Sequence, residues 1–387
     1  MNRLVKIPLY VCCILGLFCM NAYASDVKLC EQLFKSKKYE KAVTVCQKSC
    51  SLNEGASCGN LGTLYFRGLG VREDVNTAEK YYDIACSLDD GKGCVGSGKL
   101  AFADALFNKD YSRVIKYYEK ACSLNEGEGC SMLGFLYSRV KGIEKNYSKA
   151  KKYSEKACSM NEGGGCKTLG FLYYNGYGVG KDYSKTMKYW EKSCSLNDGE
   201  SCATLGNLYH NGNGVKQDYN KAMKYWEKAC NLNDGDSCNL LGFLHTGGQD
   251  KDNYNKAKKY YEKACSLYNH NGCIGLGRLY ADKQDYSNAK KYYEKACDMH
   301  DSDGCLLLGF LYYNGQGVSK DYSKAKKNFE KACSMNGANC GGLGLLYLGG
   351  DGVRQDKTKA KEYFGTACAK GNELDCDVYR KLNEQGY

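Results

Sequence analysis

The sequence has a single proline, Pro8, only four histidines, and no apolar run after Met20 long enough to span a bilayer. Because Pro8 lies in the leader, nothing kinks the helices that follow it. The histidines, His210, His245, His270 and His300, are scattered with no paired spacing, and no Cys-x-x-Cys pair accompanies them, so neither a metal nor another cofactor is expected. Strict alternation of apolar and polar residues, the signature of strands, is missing too, which turns the reading away from sheet architectures. Charge of one sign is not concentrated: 55 Lys and Arg stand against 44 Asp and Glu in 387 residues, and the lysines recur at fixed positions instead of forming one block. That distribution argues against a nucleic-acid partner.

What the sequence has in abundance is cysteine, 25 residues, and internal repetition. Cys50, Cys86, Cys122, Cys158, Cys194, Cys230, Cys265, Cys297, Cys333 and Cys368 follow one another at 36 residues, with occasional steps of 35 or 32. A period of that length marks a solenoid of helix pairs, because one pair cannot bury its apolar face alone.

In the first helix of each unit, counted from the second cysteine, apolar or small residues fall at offsets 0, 3, 4, 6 and 7, as in Cys166, Leu169, Gly170, Leu172 and Tyr173. That is a helical stripe, and the glycine leaves room for close approach. The second helix carries Tyr254, Ala257, Tyr260, Tyr261, Ala264 and Cys265 on one face, with Lys258, Lys259, Glu262 and Lys263 toward solvent. Asp182 before Tyr183 predicts an N-cap, and the Asn-Asp-Gly or Asn-Glu-Gly after each second helix supplies a left-handed residue that ends it. The unit from Cys94 loses the usual Leu-Gly-x-Leu-Tyr, and the unit from Cys273 drops four residues between its helices, so local changes of curvature are expected there.

Residues 1–24 read as a secretory signal peptide: Arg3 and Lys6, an apolar run from Leu9 to Met20, then Ala22-Tyr23-Ala24 as the cleavage signal. Cleavage after Ala24 leaves 22 cysteines, lowers Lys plus Arg to 53, and places the chain in the periplasm or outside the cell. An even, regularly spaced set in an oxidising compartment implies disulfides. Sequence neighbours pair as Cys50–Cys58, Cys86–Cys94, Cys122–Cys130, Cys158–Cys166, Cys194–Cys202, Cys230–Cys238, Cys265–Cys273, Cys297–Cys305, Cys333–Cys340 and Cys368–Cys376, and Cys30–Cys46 closes a shortened first unit. Each spacing spans a helix end, a tight loop and a helix start, so the Cα atoms can reach the ~4.4 to 6.8 Å a bridge needs. Each short loop is worth ~2 to 3 kcal/mol in the chain-entropy model. The resulting organisation is a signal peptide at 1–24, an N-terminal capping helix pair at 25–57, nine repeats at 58–375 and a C-terminal capping helix at 376–387, its helix from about Asp377 to Asn383.

The segments Leu205 to Tyr209, Gly212 to Val215, Asp218 to Ala222 and Glu227 to Cys230 resemble the Sel1-like repeat, a relative of the tetratricopeptide repeat. With the cysteine corner and the leader, the chain resembles the Helicobacter cysteine-rich protein family. The resemblance implies an all-α, right-handed α/α solenoid with a disulfide at each inter-repeat corner. It also implies two roles of different class: a protein-interaction scaffold, and a penicillin-binding protein with weak β-lactamase activity. A serine β-lactamase combines Ser-x-x-Lys with Ser-Asp-Asn and Lys-Thr-Gly. Here Ser148/Lys151, Ser287/Lys290 and Ser323/Lys326 fit the first motif inside the second helix, and the other two motifs are missing, so no catalytic residue is assigned.

Comparison of the repeats with one another leaves offsets 5 and 8 of the first helix variable. They hold Phe135, Phe171, Asn207, Phe243, Arg278 and Phe310 at offset 5, and Tyr174, His210 and Tyr313 at offset 8. These nine are the candidate ligand contacts of a groove lined by first helices, where the phenylalanines serve equally well as packing between repeats. The reading is a monomeric exported scaffold that binds a peptide, a protein or a peptidoglycan-like or β-lactam small molecule, with β-lactam hydrolysis as the alternative.

Overall fold

A three-residue corner sets most helix boundaries between repeats. In Asn197-Asp198-Gly199 and its counterparts the asparagine takes the left-handed conformation, with φ of 60° at Asn125, 61° at Asn161, 67° at Asn197 and 69° at Asn233. The acidic residue is the N-cap, as Asp90 and Asp234 show by accepting from Gly93 N and Ser237 N, and the glycine opens the next helix. The other boundary is capped as the sequence predicts, Asp182 Oδ1 accepting from Lys185 N at 2.9 Å.

The computed structural model describes residues 26–247 and 251–387; the expected signal peptide and its cleavage site lie outside them. Among these residues the chain is all-helical and divides into two units, one ending at Asp198 and one beginning at Gly199. The first unit holds α1 (26–35), α2 (Tyr39–Ser51), α3 (Gly55–Arg67), α4 (Val75–Ser87), α5 (Gly91–Asn108), α6 (Ser112–Ser123), α7 (Gly127–Arg139), α8 (Tyr147–Ser159), α9 (Gly163–Asn175) and α10 (Tyr183–Ser195). The second holds α11 (Gly199–Asn211), α12 (Tyr219–Asn231), α13 (Gly235–Thr246), α14 (Lys251–Ser266), α15 (His270–Asp282), α16 (Tyr286–Asp298), α17 (Ser302–Asn314), α18 (Tyr322–Met335), α19 (Gly341–Gly349), α20 (Lys357–Ala369) and α21 (Glu373–Glu384).

Within each unit a second helix packs on its own first helix and on the first helix of the next repeat. Successive first helices also touch, α3 with α5, α5 with α7 and α7 with α9 in one unit, and α13 with α15, α15 with α17 and α17 with α19 in the other. First helices therefore form one continuous face of each stack, and second helices the other.

The contact that fixes most pairs is a ring laid on a glycine. Trp190 lies over Gly170, Trp226 over Gly206, Tyr118 over Gly98 and Phe329 over Gly309, each so close that a Cβ would sit 2.4 to 2.6 Å from a ring atom. The offset-4 glycine thus admits a side chain from the second helix, not the backbone of a neighbouring helix.

Ten disulfides with Cα separations of 4.4 to 5.0 Å tie α1 to α2 and the corners between repeats within the units. Cys194 and Cys202 are disulfide-bonded as well. Disulfides at this density belong to an oxidising, extracytoplasmic compartment. No helix among the described residues is long and apolar enough to cross a membrane.

The irregular repeats differ in their connections. In the unit from Cys94 the first helix continues to Asn108 and lacks the Gly-x-Gly-Val loop. Elsewhere that loop covers the start of the preceding second helix, as Gly178 does at Tyr147. Val75 at the start of α4 stays exposed, beside a shallow hollow of about 660 Å³ lined by Tyr65, Val71, Arg72 and Asp74. At the C-terminus α21 starts at Glu373, four residues before the expected Asp377, because Asn372 caps it by accepting from Asp375 N.

Candidate functional site

The nine candidate residues lie on first helices and fall into two groups, one in each unit. In the first unit the structure places Phe135 on α7 and Phe171 and Tyr174 on α9, all half-buried. Phe171 is covered by the Arg139 guanidinium, 3.7 Å from its ring centre, and meets Tyr177 edge-on at 5.7 Å. Tyr174 packs on Trp190 at 5.5 Å and edge-on to Tyr183 at 5.8 Å. Both rings therefore belong to aromatic clusters of the stack.

The second unit repeats that arrangement with different chemistry. His210 on α11 occupies the place of Tyr174, 5.4 Å from both Trp226 and Tyr219. Asn207 Oδ1 accepts the indole N–H of the same Trp226 at 3.0 Å. On α17, Phe310 packs edge-on to Phe329 at 5.1 Å, and Tyr313 donates to Asp351 Oδ2 at 2.7 Å. That bond to a carboxylate and burial push the Tyr313 hydroxyl up to about 12.

Offset 5 thus answers to the ring beneath it more often than the sequence comparison suggests. Tyr82 donates to Thr63 Oγ1 at 3.1 Å in the same register. Where the ring carries a polar edge, the residue above it tends to be polar.

Phe243 and Arg278 stand apart as large side chains left exposed. Phe243 on α13 is 67% exposed, and Arg278 on the adjoining α15 is exposed, near enough to the Tyr261 and Tyr293 hydroxyls to act on them electrostatically. Burial raises both hydroxyls, Tyr293 to about 12, so they stay neutral donors. An exposed ring beside a guanidinium and neutral hydroxyls can hold an apolar side chain and a carboxylate at once.

The Sel1 repeat model matches residues 55–90, 108–126, 127–162, 168–198, 199–234, 235–269, 302–337 and 340–372. The chain belongs to the Sel1 repeat family. A tetratricopeptide repeat model matches residues 270–300, the unit with the shortened connection. Among solved structures it is similar to a protective antigen present in uropathogenic Escherichia coli strains, with TM-score 0.61 and 23% identity over 95% of this chain and 81% of that one. It is also similar to a Sel1 repeat protein from Oxalobacter formigenes, with TM-score 0.53 and 20% identity over 78% of this chain and 89% of that one. Helicobacter pylori cysteine rich protein B shares 41% identity over 35% of this chain and 97% of its own, with TM-score 0.30. No curated relative matches.

As an all-helical Sel1 repeat solenoid, the chain is a scaffold of the kind that binds protein partners. The Ser-x-x-Lys pairs sit on the exposed side of its second helices. Lys151 pairs with Glu155 at 2.7 Å, Lys290 with Glu294 at 3.1 Å and Lys326 with Glu330 at 3.6 Å. The hydrogen bonds to Glu155 and Glu294 push the Lys151 and Lys290 ammoniums up, the wrong direction for a lysine that must take a serine proton.

The histidines are equally dispersed among structural tasks. His245 stacks on Tyr260 at 5.8 Å, and His270 Nδ1 meets Asp301 at 2.7 Å.

Sequence reasoning missed one set of Sel1 repeat side chains. The lysine of Glu-Lys-Ala-Cys or Glu-Lys-Ser-Cys reaches back to the carbonyl of the preceding repeat's first cysteine: Lys156 to Cys122 O at 2.6 Å, Lys192 to Cys158 O at 2.8 Å, Lys295 to Cys265 O and Lys331 to Cys297 O at 3.1 Å. These lysines cap the C-terminal end of the neighbouring helix, where a cation is favoured. The available signal was their constancy two residues before the cysteine.

Proposed function

We propose that this Sel1 repeat protein is an exported scaffold of the Helicobacter cysteine-rich kind, cleaved after Ala24, whose first-helix face binds a peptide or protein segment. Phe243 beside Arg278 carries the reading. Both are exposed on adjoining helices, whereas Phe171, Tyr174, Phe310 and Tyr313 at equivalent positions of other first helices are packed against the stack. An aromatic residue and an arginine at the centre of a helical face are what an interface uses as anchors. The neighbouring neutral tyrosine hydroxyls add donors for a carboxylate or backbone carbonyl.

The test is capture from extracellular proteins and cell-wall fragments with the oxidised mature protein, followed by affinity measurement on the captured species. Phe243→Ala and Arg278→Ala are each expected to weaken binding about tenfold or more, the scale of a lost anchor. Lys258→Ala, on the second-helix face, is the control and should leave affinity within about twofold. A loss confined to the lysine variant would move the site to the opposite face.

A further inference from the structure

The second-helix face carries a row of lysines in equal register, one of which, Lys291, lies 5.5 Å from the centre of the Tyr292 ring. In the first unit these are Lys80 on α4, Lys116 on α6, Lys152 on α8 and Lys188 on α10, all exposed. In the second they are Lys224 on α12, Lys259 on α14, Lys291 on α16 and Lys327 on α18, in the same register and also exposed. None forms an ion pair or hydrogen bond among the described residues, although the residue immediately before four of them does: Lys151, Lys258, Lys290 and Lys326 each pair with a glutamate one turn on.

One turn after the free lysine stands a second lysine in seven of these eight helices, the one that in several repeats caps the preceding helix, as Lys156, Lys192, Lys295 and Lys331 do. Like charges at i and i+4 destabilise a helix, and packing does not ask for them. One turn before the free lysine is a serine or asparagine, exposed and uncharged, including the Ser148, Ser287 and Ser323 of the Ser-x-x-Lys motifs.

Adjacent second helices are held side by side. Lys295 and Lys331 bridge α16 to α14 and α18 to α16, and in the other unit Arg113 pairs with Glu79 across α6 and α4 at 3.0 Å. Equal register on helices so held puts the free ammoniums in a line along each stack, one per repeat, flanked one turn before by hydroxyl or amide donors and three residues on by a carboxylate, which in four repeats is engaged by the lysine preceding the free one.

We propose that this line is a binding track for a linear anionic polysaccharide carrying sulfate or carboxylate groups. A row of single charges at repeat spacing suits a polymer with periodic anions. The rings beside the track are engaged by the stack, as Tyr153 and Tyr189 are by Tyr137 and Tyr173 at 6.1 and 5.7 Å, which disfavours base stacking as its mode of recognition. Of the apolar side chains beside it, Ile84 on α4 is 41% exposed, a single small anchor and no continuous apolar face for a bilayer. The disulfides place it where anionic glycans are the linear polyanions at hand.

The test uses two triple variants of the oxidised full-length mature chain with equal net charge, Lys259→Gln/Lys291→Gln/Lys327→Gln and Lys258→Gln/Lys290→Gln/Lys326→Gln. Both are checked for helix content and thermal midpoint, then titrated with heparin, dextran sulfate and alginate over a range of salt, with neutral dextran as blank. The first variant is expected to bind about tenfold or more weakly and to lower the slope of log affinity against log salt by about three, one per lysine, while the second stays within about threefold of the parent. Equal losses in the two variants would overturn the proposal by reducing the effect to net charge. So would failure of the parent to bind any of the three polymers, or equal or stronger binding to vesicles of anionic phospholipid.

Discussion

The indole N–H of Trp226 donates to Asn207 Oδ1 at 3.0 Å while its ring lies on Gly206, where a Cβ would come within 2.4 Å of Cδ1. The two adjacent residues of α11 thus answer to one ring of α12. Gly206→Ala is expected to lower stability by ~1 to 3 kcal/mol or more through overpacking. Asn207→Leu should cost ~1 to 3 kcal/mol by leaving a buried donor unpaired. Urea unfolding followed by tryptophan fluorescence measures both, and an Asn207→Leu protein as stable as its parent would show that the bond contributes nothing.

Ser154 stands where most other repeats have the ring. It is fully buried, and its Oγ has no hydrogen-bond partner. Ser154→Ala is therefore expected to be neutral or to stabilise by up to about 1 kcal/mol. A loss greater than about 1 kcal/mol in the same unfolding assay would reveal that the hydroxyl has a partner after all.

Lys192 and Lys188 lie one turn apart on α10 and do different things. Lys192 Nζ donates to Cys158 O, and Lys188 points to solvent. Lys192→Met should cost ~1.5 to 3 kcal/mol, the worth of a charged hydrogen bond. Lys188→Met should stay within ~0.5 kcal/mol of the parent. Equal effects on the thermal midpoint would contradict the capping role.

Glu162, the N-cap residue of α9, accepts no capping bond with its side chain, and burial followed by the nearby Glu128 and Glu126 raises its carboxyl above the ordinary 4.5. A raised folded value means that the folded state holds the proton more tightly. The associated stability is full below the ordinary value and is lost as pH rises through the raised one. Glu162→Gln is expected to melt above the parent at pH 7, with the difference vanishing once the parent's carboxyl is protonated below about pH 4. A difference independent of pH would rule out the electrostatic cause.

By itself the sequence determined the period, the helix pair, the corner and the cap, because each is written in residues close together in the chain: Asp182 three residues before the N–H it accepts, and Asn197 at the left-handed position that ends α10. The family motifs lie in those same segments and were legible for the same reason. The use of the variable columns was not legible. Asn207 and Tyr174 look as free as Phe243 when repeats are aligned, yet a ring 19 residues away engages one and a ring 16 residues away supports the other. The lysines posed the same problem, since Lys188 and Lys192 have the same chemistry and differ only in whether a carbonyl of the preceding repeat lies within reach. Local conformation follows from neighbours in the chain. Whether a side chain is engaged or available depends on which distant atoms the stack brings within about 3 to 4 Å of it, and that only the tertiary structure decided.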